Sequence, residues 1–187
     1  MSTLYMANKF KDIAPYVILL GSNLNAKCFT SFLDYDQVIR EWSPLENING
    51  SYKGIPMSVL RNADDSVQSL VDMLKNSQVR ALLYLDIRDE AEPSQKRFII
   101  SECSALWQKA IASTLDVFRY DALTRSAEGV NKRVIDASNH TDIDTATLLI
   151  LSSEGNQSRG LNHHDALEET LCRVALEAVA RYATLKP

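Results

Sequence analysis

The sequence predicts an α/β fold: a single layered domain over residues 1–187, with a mixed β-sheet, packed helices and a C-terminal amphipathic helix. Three observations predict it. The runs YVILL (16–20), VRALLYLDI (79–87) and TATLLIL (145–151) are apolar on successive residues, as strands covered on both faces are. Around them lie segments with apolar residues at helical spacing, and this alternation belongs to layered α/β domains. The composition, 45% hydrophobic and 24% charged over 187 residues, is that of an ordinary globular chain, long enough to bury about 70% of its unfolded surface.

In chain order, YVILL opens the sheet, and DQVIREW (36–42) reads as a second strand. SYKGIPMSVL (51–60) alternates Ile55, Met57 and Val59 toward one face. It reads as one half-exposed strand, which Pro56 pushes to an edge by removing a ladder donor. These N-terminal strands are expected to be antiparallel neighbours. DDSVQSLVDMLKNS (64–77) puts Val67, Leu70, Val71 and Leu74 on one helical stripe, and its acidic start suits the positive end of a helix dipole. After the second buried strand, Pro93 opens a long helix with Ile99, Cys103, Leu106, Ala110 and Val117 along its face. Gly129 marks a break, and Val130, Val134 and Ala137 suggest a short further helix. The final helix spans about 163–184, with Leu167, Leu171, Val174, Ala178 and Tyr182 in an unbroken stripe.

Charge and cysteine usage exclude several classes. A net charge of −4, with no Lys/Arg run interleaved with aromatics, argues against nucleic acid. YVILL is too short for a signal segment or a membrane span, so a cytoplasmic protein without membrane contact is expected. The three cysteines, Cys28, Cys103 and Cys172, are far apart and form no CxxC pair. That excludes a disulfide framework or zinc ribbon and predicts buried free thiols in a reducing compartment.

One stretch concentrates polar chemistry. SSEGNQSRGLNHHDALEETL (152–171) joins the end of a buried strand to a helix start. Asn162 suits an N-cap and Asp165 the reciprocal position, which sets His163 and His164 in the first turn. Glu168 lies one turn beyond His164 on the same side. Ser152, Ser153, Ser158, Arg159 and Asn162 supply donors, and Gly155 and Gly160 let the backbone come close. A helix N-terminus at the carboxyl end of a strand offers free N–H groups and partial positive charge, where an anion binds readily. The loop of about eleven residues exceeds the two to six usual for such connections. Paired histidines at a helix start also serve as solvated surface groups or cap partners.

A metal site is under-supplied. Zinc takes three or four protein ligands, and neighbouring helical histidines point about 100° apart. His140 precedes the strand that the pair follows, so about 25 Å of strand separates them. The sequence does not identify a cofactor. DIRDEAE (86–92) ends the second buried strand with a cluster of carboxylates. If the two strands are parallel neighbours, Asp86 and Arg88 border the same crevice as His164.

Two short resemblances do not extend. LGSNL (20–24) is similar to the opening of the pterin pyrophosphokinases, over five residues and without their later tryptophan–arginine–aspartate pattern. NHHDALEE resembles the histidine–histidine–x–x–glutamate metal motif of imidazoleglycerol-phosphate dehydratases, but Leu167 stands where that motif has its glutamate.

The leading expectation is a domain that binds a small anionic molecule at the 152–164 loop through Ser153, Ser158, Arg159, Gly160, Asn162 and His163. A second is an interaction subunit, a homodimer or hetero-oligomer using Trp42, Trp107, Tyr182 and the Met57/Val59 face. A third is an enzyme with His164 and Glu168 as an acid–base or metal-ligand pair, joined by Asp86.

Overall fold

The computed structural model describes residues 13–21, 24–38, 45–62, 75, 78–90, 98–125, 139, 141–153 and 161–186. Its strands are β1 (Tyr16–Leu20), β2 (Tyr35–Val38), β3 (Leu45–Tyr52), β4 (Ile55–Asn62), β5 (Ala81–Glu90), β6 (Phe98–Ser101), β7 (Ala122–Arg125) and β8 (Asp144–Ser153). The helices are α1 (Lys27–Thr30), α2 (Ala105–Phe118) and α3 (Leu161–Leu185). All eight strands among the described residues join one mixed sheet in the order β2-β3-β4-β1-β5-β8-β6-β7. β4, β1, β5 and β8 are mutually parallel, whereas β2–β3, β3–β4 and β6–β8 pair antiparallel.

The three apolar runs form the middle of this sheet. Ile18, Leu83, Leu85, Leu148 and Ile150 face α1, α2 and α3 in the largest core cluster. Val17, Leu19, Leu60, Leu82 and Leu149, on the other face, are at most 3% exposed. Both faces are therefore dry, as a run without alternation requires.

Three expectations are corrected. The stretch 51–60 is a hairpin, not one edge strand: β3 ends at Tyr52, Lys53 and Gly54 turn with φ of 50° and 77°, and β4 follows. Two successive positive φ values are those of a tight hairpin turn, and glycine carries the second freely. β4 is interior, because the ladder with β1 begins at Met57 and Pro56 stands before it. Secondly, Ile99 is in a strand: Phe98–Ser101 is apolar on both faces and lies between β8 and β7. Ser104 starts the helix, its Oγ accepting from Trp107 N–H at 3.3 Å, so Cys103 lies in the connection and not on the helix. Thirdly, Val117 is 62% exposed and carries no core face. The helices expected over 64–77 and 130–137 fall outside the described residues, apart from Lys75, which is helical. Residues 39–42 do as well.

α3 runs slightly longer than expected and buries Leu167, Leu171, Val174, Ala178 and Tyr182. Two polar contacts lock it to the sheet. At the amino end of the parallel strands, Asp144 Oδ2 accepts from Tyr182 Oη at 2.7 Å and from Ser104 Oγ at 2.8 Å. The Asp144 carbonyl accepts the Trp107 indole N–H at 2.9 Å. Trp107 and Tyr182 stack, with centroids 4.1 Å apart. Burial, and then the Asp144 acceptor, hold the Tyr182 phenol well above an ordinary tyrosine. Midway along α3, Glu177 accepts from Tyr52 Oη at 2.9 Å, Lys53 Nζ at 2.8 Å and Arg181 Nε at 3.3 Å. This latches the hairpin turn onto the helix. Burial alone raises the Glu177 pKa, but the donors outweigh it and leave the carboxyl below its ordinary value.

Tyr182→Phe is expected to cost about 1–2 kcal/mol in urea unfolding with an unchanged m-value. Trp107→Ala, which empties a fully buried site, should cost about 3–5 kcal/mol. Because the folded Glu177 pKa is depressed, its contribution is complete above the unfolded carboxylate pKa. It disappears as pH falls through the lower folded value. Glu177→Gln should therefore lower stability at neutral pH by about 1–3 kcal/mol and flatten the fall in stability below about pH 4.5. Denaturation midpoints across that range measure both effects.

Candidate functional site

The parallel set β4, β1, β5 and β8 brings four carboxyl ends to one edge of the sheet. From β1 the chain goes to one side, through β2, β3 and β4, and then crosses to β5 on the other. The carboxyl end of β1 is thus a topological switch point, where open α/β sheets hold their ligands. This edge is stepped. β1 stops at Leu20, opposite Arg61 of β4 and Leu85 of β5. β5 and β8 continue side by side from Asp86↔Leu149 to Glu90↔Ser153. β5 and β8 are parallel neighbours, and their described ends meet at Glu90 and Ser153.

Gly21 lies at the foot of the step. Its N–H donates to the Leu85 carbonyl at 2.8 Å, extending the β1–β5 ladder by one bond. The Asp86 carboxyl group occupies the place where a Cβ on Gly21 would project. A side chain there and the carboxylate cannot coexist without one moving. Asp86 is half-buried; its Oδ1 accepts from Ile87 N–H at 2.9 Å, and Tyr84 Oη reaches Oδ2 at 3.4 Å.

Alternation along the strands decides which groups share a face. Asp86 follows Leu82 and Tyr84, on the face away from α3, and exposed Arg88 continues that row. Arg61 follows Met57 and Val59, which pack in the α3-side core, so this half-buried cation stands on the helix face beside Leu20. Glu168 is half-buried on α3, one turn before Cys172. The sheet therefore lies between Asp86 and Glu168, and the two carboxylates do not form a pair. Arg61 was missed because the strand was read only to Leu60. A legible signal existed: the buried alternation Met57, Val59 continues into a cation.

α3 starts at Leu161, so Asn162 is its second residue and not its cap. Asn162, His163 and His164 occupy the first turn, and Ser153 ends β8. The side chains of these four, and the whole of Ser158, Arg159 and Gly160, lie outside the described residues, as do Trp42 and His140. The aromatic and apolar groups expected at an interface are core instead: Trp107, Tyr182, Met57 and Val59 are all fully buried. Among the described residues no three His, Cys, Asp or Glu side chains gather as a metal site. None of the described helices is long and apolar enough to cross a membrane. A cleft of about 430 Å³ opens at the opposite, amino end of β5 and β8, lined by Lys75, Val79, Arg80, Thr141, Asp142, Ile143 and Lys186. Its charged side chains are all exposed, unlike Arg61 and Asp86.

The arrangement suits a ligand with two chemical ends. A guanidinium at Arg61 matches phosphate or carboxylate oxygens, and the braced Asp86 carboxylate accepts hydroxyl or N–H donors.

The sequence matches no protein-family model and no curated relative. The fold has clear counterparts among solved structures. Uridine phosphorylase from Vibrio fischeri ES114 superposes with a TM-score of 0.73 at 13% identity, over 91% of this chain and 93% of that one. Purine nucleoside phosphorylase from Toxoplasma gondii, in complex with immucillin-H, gives 0.70 at 11% identity, over 93% of each chain. The P. knowlesi homologue of P. falciparum PNP gives 0.67 at 10% identity, over 92% of this chain and 90% of that one. At these identities the likeness is one of architecture: the chain has an α/β fold of the nucleoside phosphorylase kind.

Proposed function

We propose that this chain binds a small anionic ligand at the stepped carboxyl edge of β4, β1, β5 and β8, and that the ligand class is a nucleoside together with phosphate. The observation that carries the reading is Arg61, a half-buried cation register-paired with Leu20 at the switch point, on the face where α3 begins. The structural neighbours, which act on uridine or purine nucleosides by name, support the ligand class. Arg61 and the start of α3, with Ser153, Ser158, Arg159, Gly160, Asn162 and His163, take the anion. Gly21 gives the ligand close access to backbone, and Asp86 accepts from the nucleoside. His164, oriented by Glu168, is the acid–base group if the bound pair reacts. A neighbouring carboxylate favours the charged imidazole, which suits a proton donor to a departing base.

Thermal melting with inorganic phosphate, uridine and inosine, singly and in pairs, tests the reading. At about 100 times Kd a ligand stabilises by about 2.7 kcal/mol, a rise of roughly 5–11 °C for a chain of this size. Arg61→Met, which keeps the aliphatic stem, should abolish the phosphate shift. An unchanged melting curve across the whole panel removes the proposal. Release of free base from uridine or inosine, dependent on phosphate and lost in His164→Ala, would extend it to catalysis.

Gly21→Ala should push the Asp86 carboxylate off Ile87 N–H and Tyr84 Oη. An unfolding cost of about 1–3 kcal/mol is expected, with weaker nucleoside binding. Asp86→Ala in the same chain should recover much of the stability, and a double-mutant cycle measures that coupling.

A second reading, a homodimer, has the terminal strands β2 and β7 as its available edges. A single monomeric mass in light scattering at high concentration would remove it.

A further inference from the structure

We propose that the cleft at the amino end of β5 and β8 is a second ligand site, and that its ligand class is a nucleoside diphosphate. The cleft has a volume of about 430 Å³, within the range of about 300–1,000 Å³ usual for small-molecule pockets. Its walls come from segments far apart in the chain: Arg80 just before β5, Asp142 shortly before β8, Lys186 just beyond α3, and Lys75. Backbone contacts hold the strand-end segments together. Asp144 N–H donates to the Arg80 carbonyl at 3.1 Å, and Arg80 N–H donates to the Pro15 carbonyl at 2.7 Å. Ile143 N–H donates to Thr141 Oγ1 at 3.4 Å.

Charge, floor and acceptor together specify the ligand. Lys75, Arg80 and Lys186 meet the single carboxylate of Asp142, in a chain whose net charge is −4. Among the described residues none of these three cations has a carboxylate within ion-pair reach. Three cations match a group with two or more negative charges, and the Arg80 guanidinium fits phosphoryl oxygens as a fork. Lys186 Nζ stands 5.8 Å from the Tyr182 ring centroid, a contact that steadies the ammonium beside the helix end. Beneath the cations the floor is apolar. Val79 is buried and Ile143 is half-buried, and both pack with the core cluster on the face away from α3. That floor suits the flat face of a base, and Asp142 accepts from sugar hydroxyls. Inorganic phosphate answers the charge alone; a nucleoside diphosphate answers all three.

This cleft and the stepped edge are separate. Arg61 is level with Leu20 of β1, which is level with Leu85 of β5. Leu85 lies five residues along the chain from Arg80, roughly 17 Å of extended strand. The two cationic sites therefore serve different molecules, and either can fail without the other.

Isothermal titration of the full chain with ADP and UDP tests this, with adenosine and pyrophosphate as the two halves of the ligand. Both diphosphates should bind, each more tightly than either half. Binding should weaken as salt rises from about 0.1 to 1 M, where the screening length falls from about 10 to about 3 Å. Arg80→Met combined with Lys186→Met should raise Kd about tenfold or more. Lys75→Gln serves as a second variant if that pair disturbs folding. In Arg61→Met, which removes the cation at the stepped edge, the diphosphates should still bind. No heat with either diphosphate, a Kd unchanged in the cleft variants, or binding lost in Arg61→Met would each overturn the proposal.

Discussion

Asp144 is the point on which the arrangement depends. Its carboxylate takes Ser104 and Tyr182, its carbonyl takes Trp107, and its N–H donates to the Arg80 carbonyl at 3.1 Å. One residue thereby sets where β8 begins against β5, where α2 begins, and where α3 lies over both. A carboxylate at the mouth of a dry sheet is costly unless its oxygens are satisfied; two hydroxyl donors, one of them from a fully buried tyrosine, meet that need. From Tyr182 back to Leu161 the helix rises about 1.5 Å per residue, roughly 30 Å in all. The pin at the amino end therefore delivers the first turn of α3 to the carboxyl end of the sheet. The two ends of the sheet differ: the amino end carries the aromatic stack, the shared hydrogen bonds and the exposed cleft, and the carboxyl end is stepped.

Where the sequence was read correctly, packing left a mark at short range. β1, β5, β8 and α3 were legible because burial on both faces, or along one stripe, forces a periodicity. The failures share a cause: the deciding partner is far along the chain. Pro56 reads as an edge marker until β1 is seen to start its ladder at Met57. Phe98–Ser101 fits a helical stripe opened by Pro93 until β8 is seen beside it, with Ser101 Oγ accepting from Thr147 N–H at 2.9 Å. The site shows the same limit. The loop into α3 stood out by its polar residues, and most of it lies outside the described residues. Gly21 and Arg61 did not stand out, because a glycine matters only through the Asp86 group that fills its space, and an arginine only through the strand end it adjoins.

The separation of Asp86 from Glu168 constrains any chemistry at this edge. Carboxylates on opposite faces of one sheet do not share a proton or a metal, so each acts through what its own face supplies. On the α3 face that is Arg61 and the helix start; on the other it is Tyr84 and the exposed Arg88. The absent side chain of Gly21 leaves room for the Asp86 carboxyl group, which fills that space on the face away from α3.

The latch between the hairpin turn and Glu177 has a consequence for biosynthesis. Tyr52 and Glu177 are 125 positions apart, and α3 follows in the chain every strand whose helix-side face it covers. While the polypeptide emerges from the ribosome, β1, β4 and β5 are complete long before that cover exists. The nascent sheet must carry Ile18, Met57, Val59, Leu83 and Leu85 bare toward water until α3 arrives. Long-range closure of this kind is slow, and uncovered apolar strands associate readily. The same distant contacts that close the finished protein therefore leave its partly synthesised chain with apolar strands exposed to association.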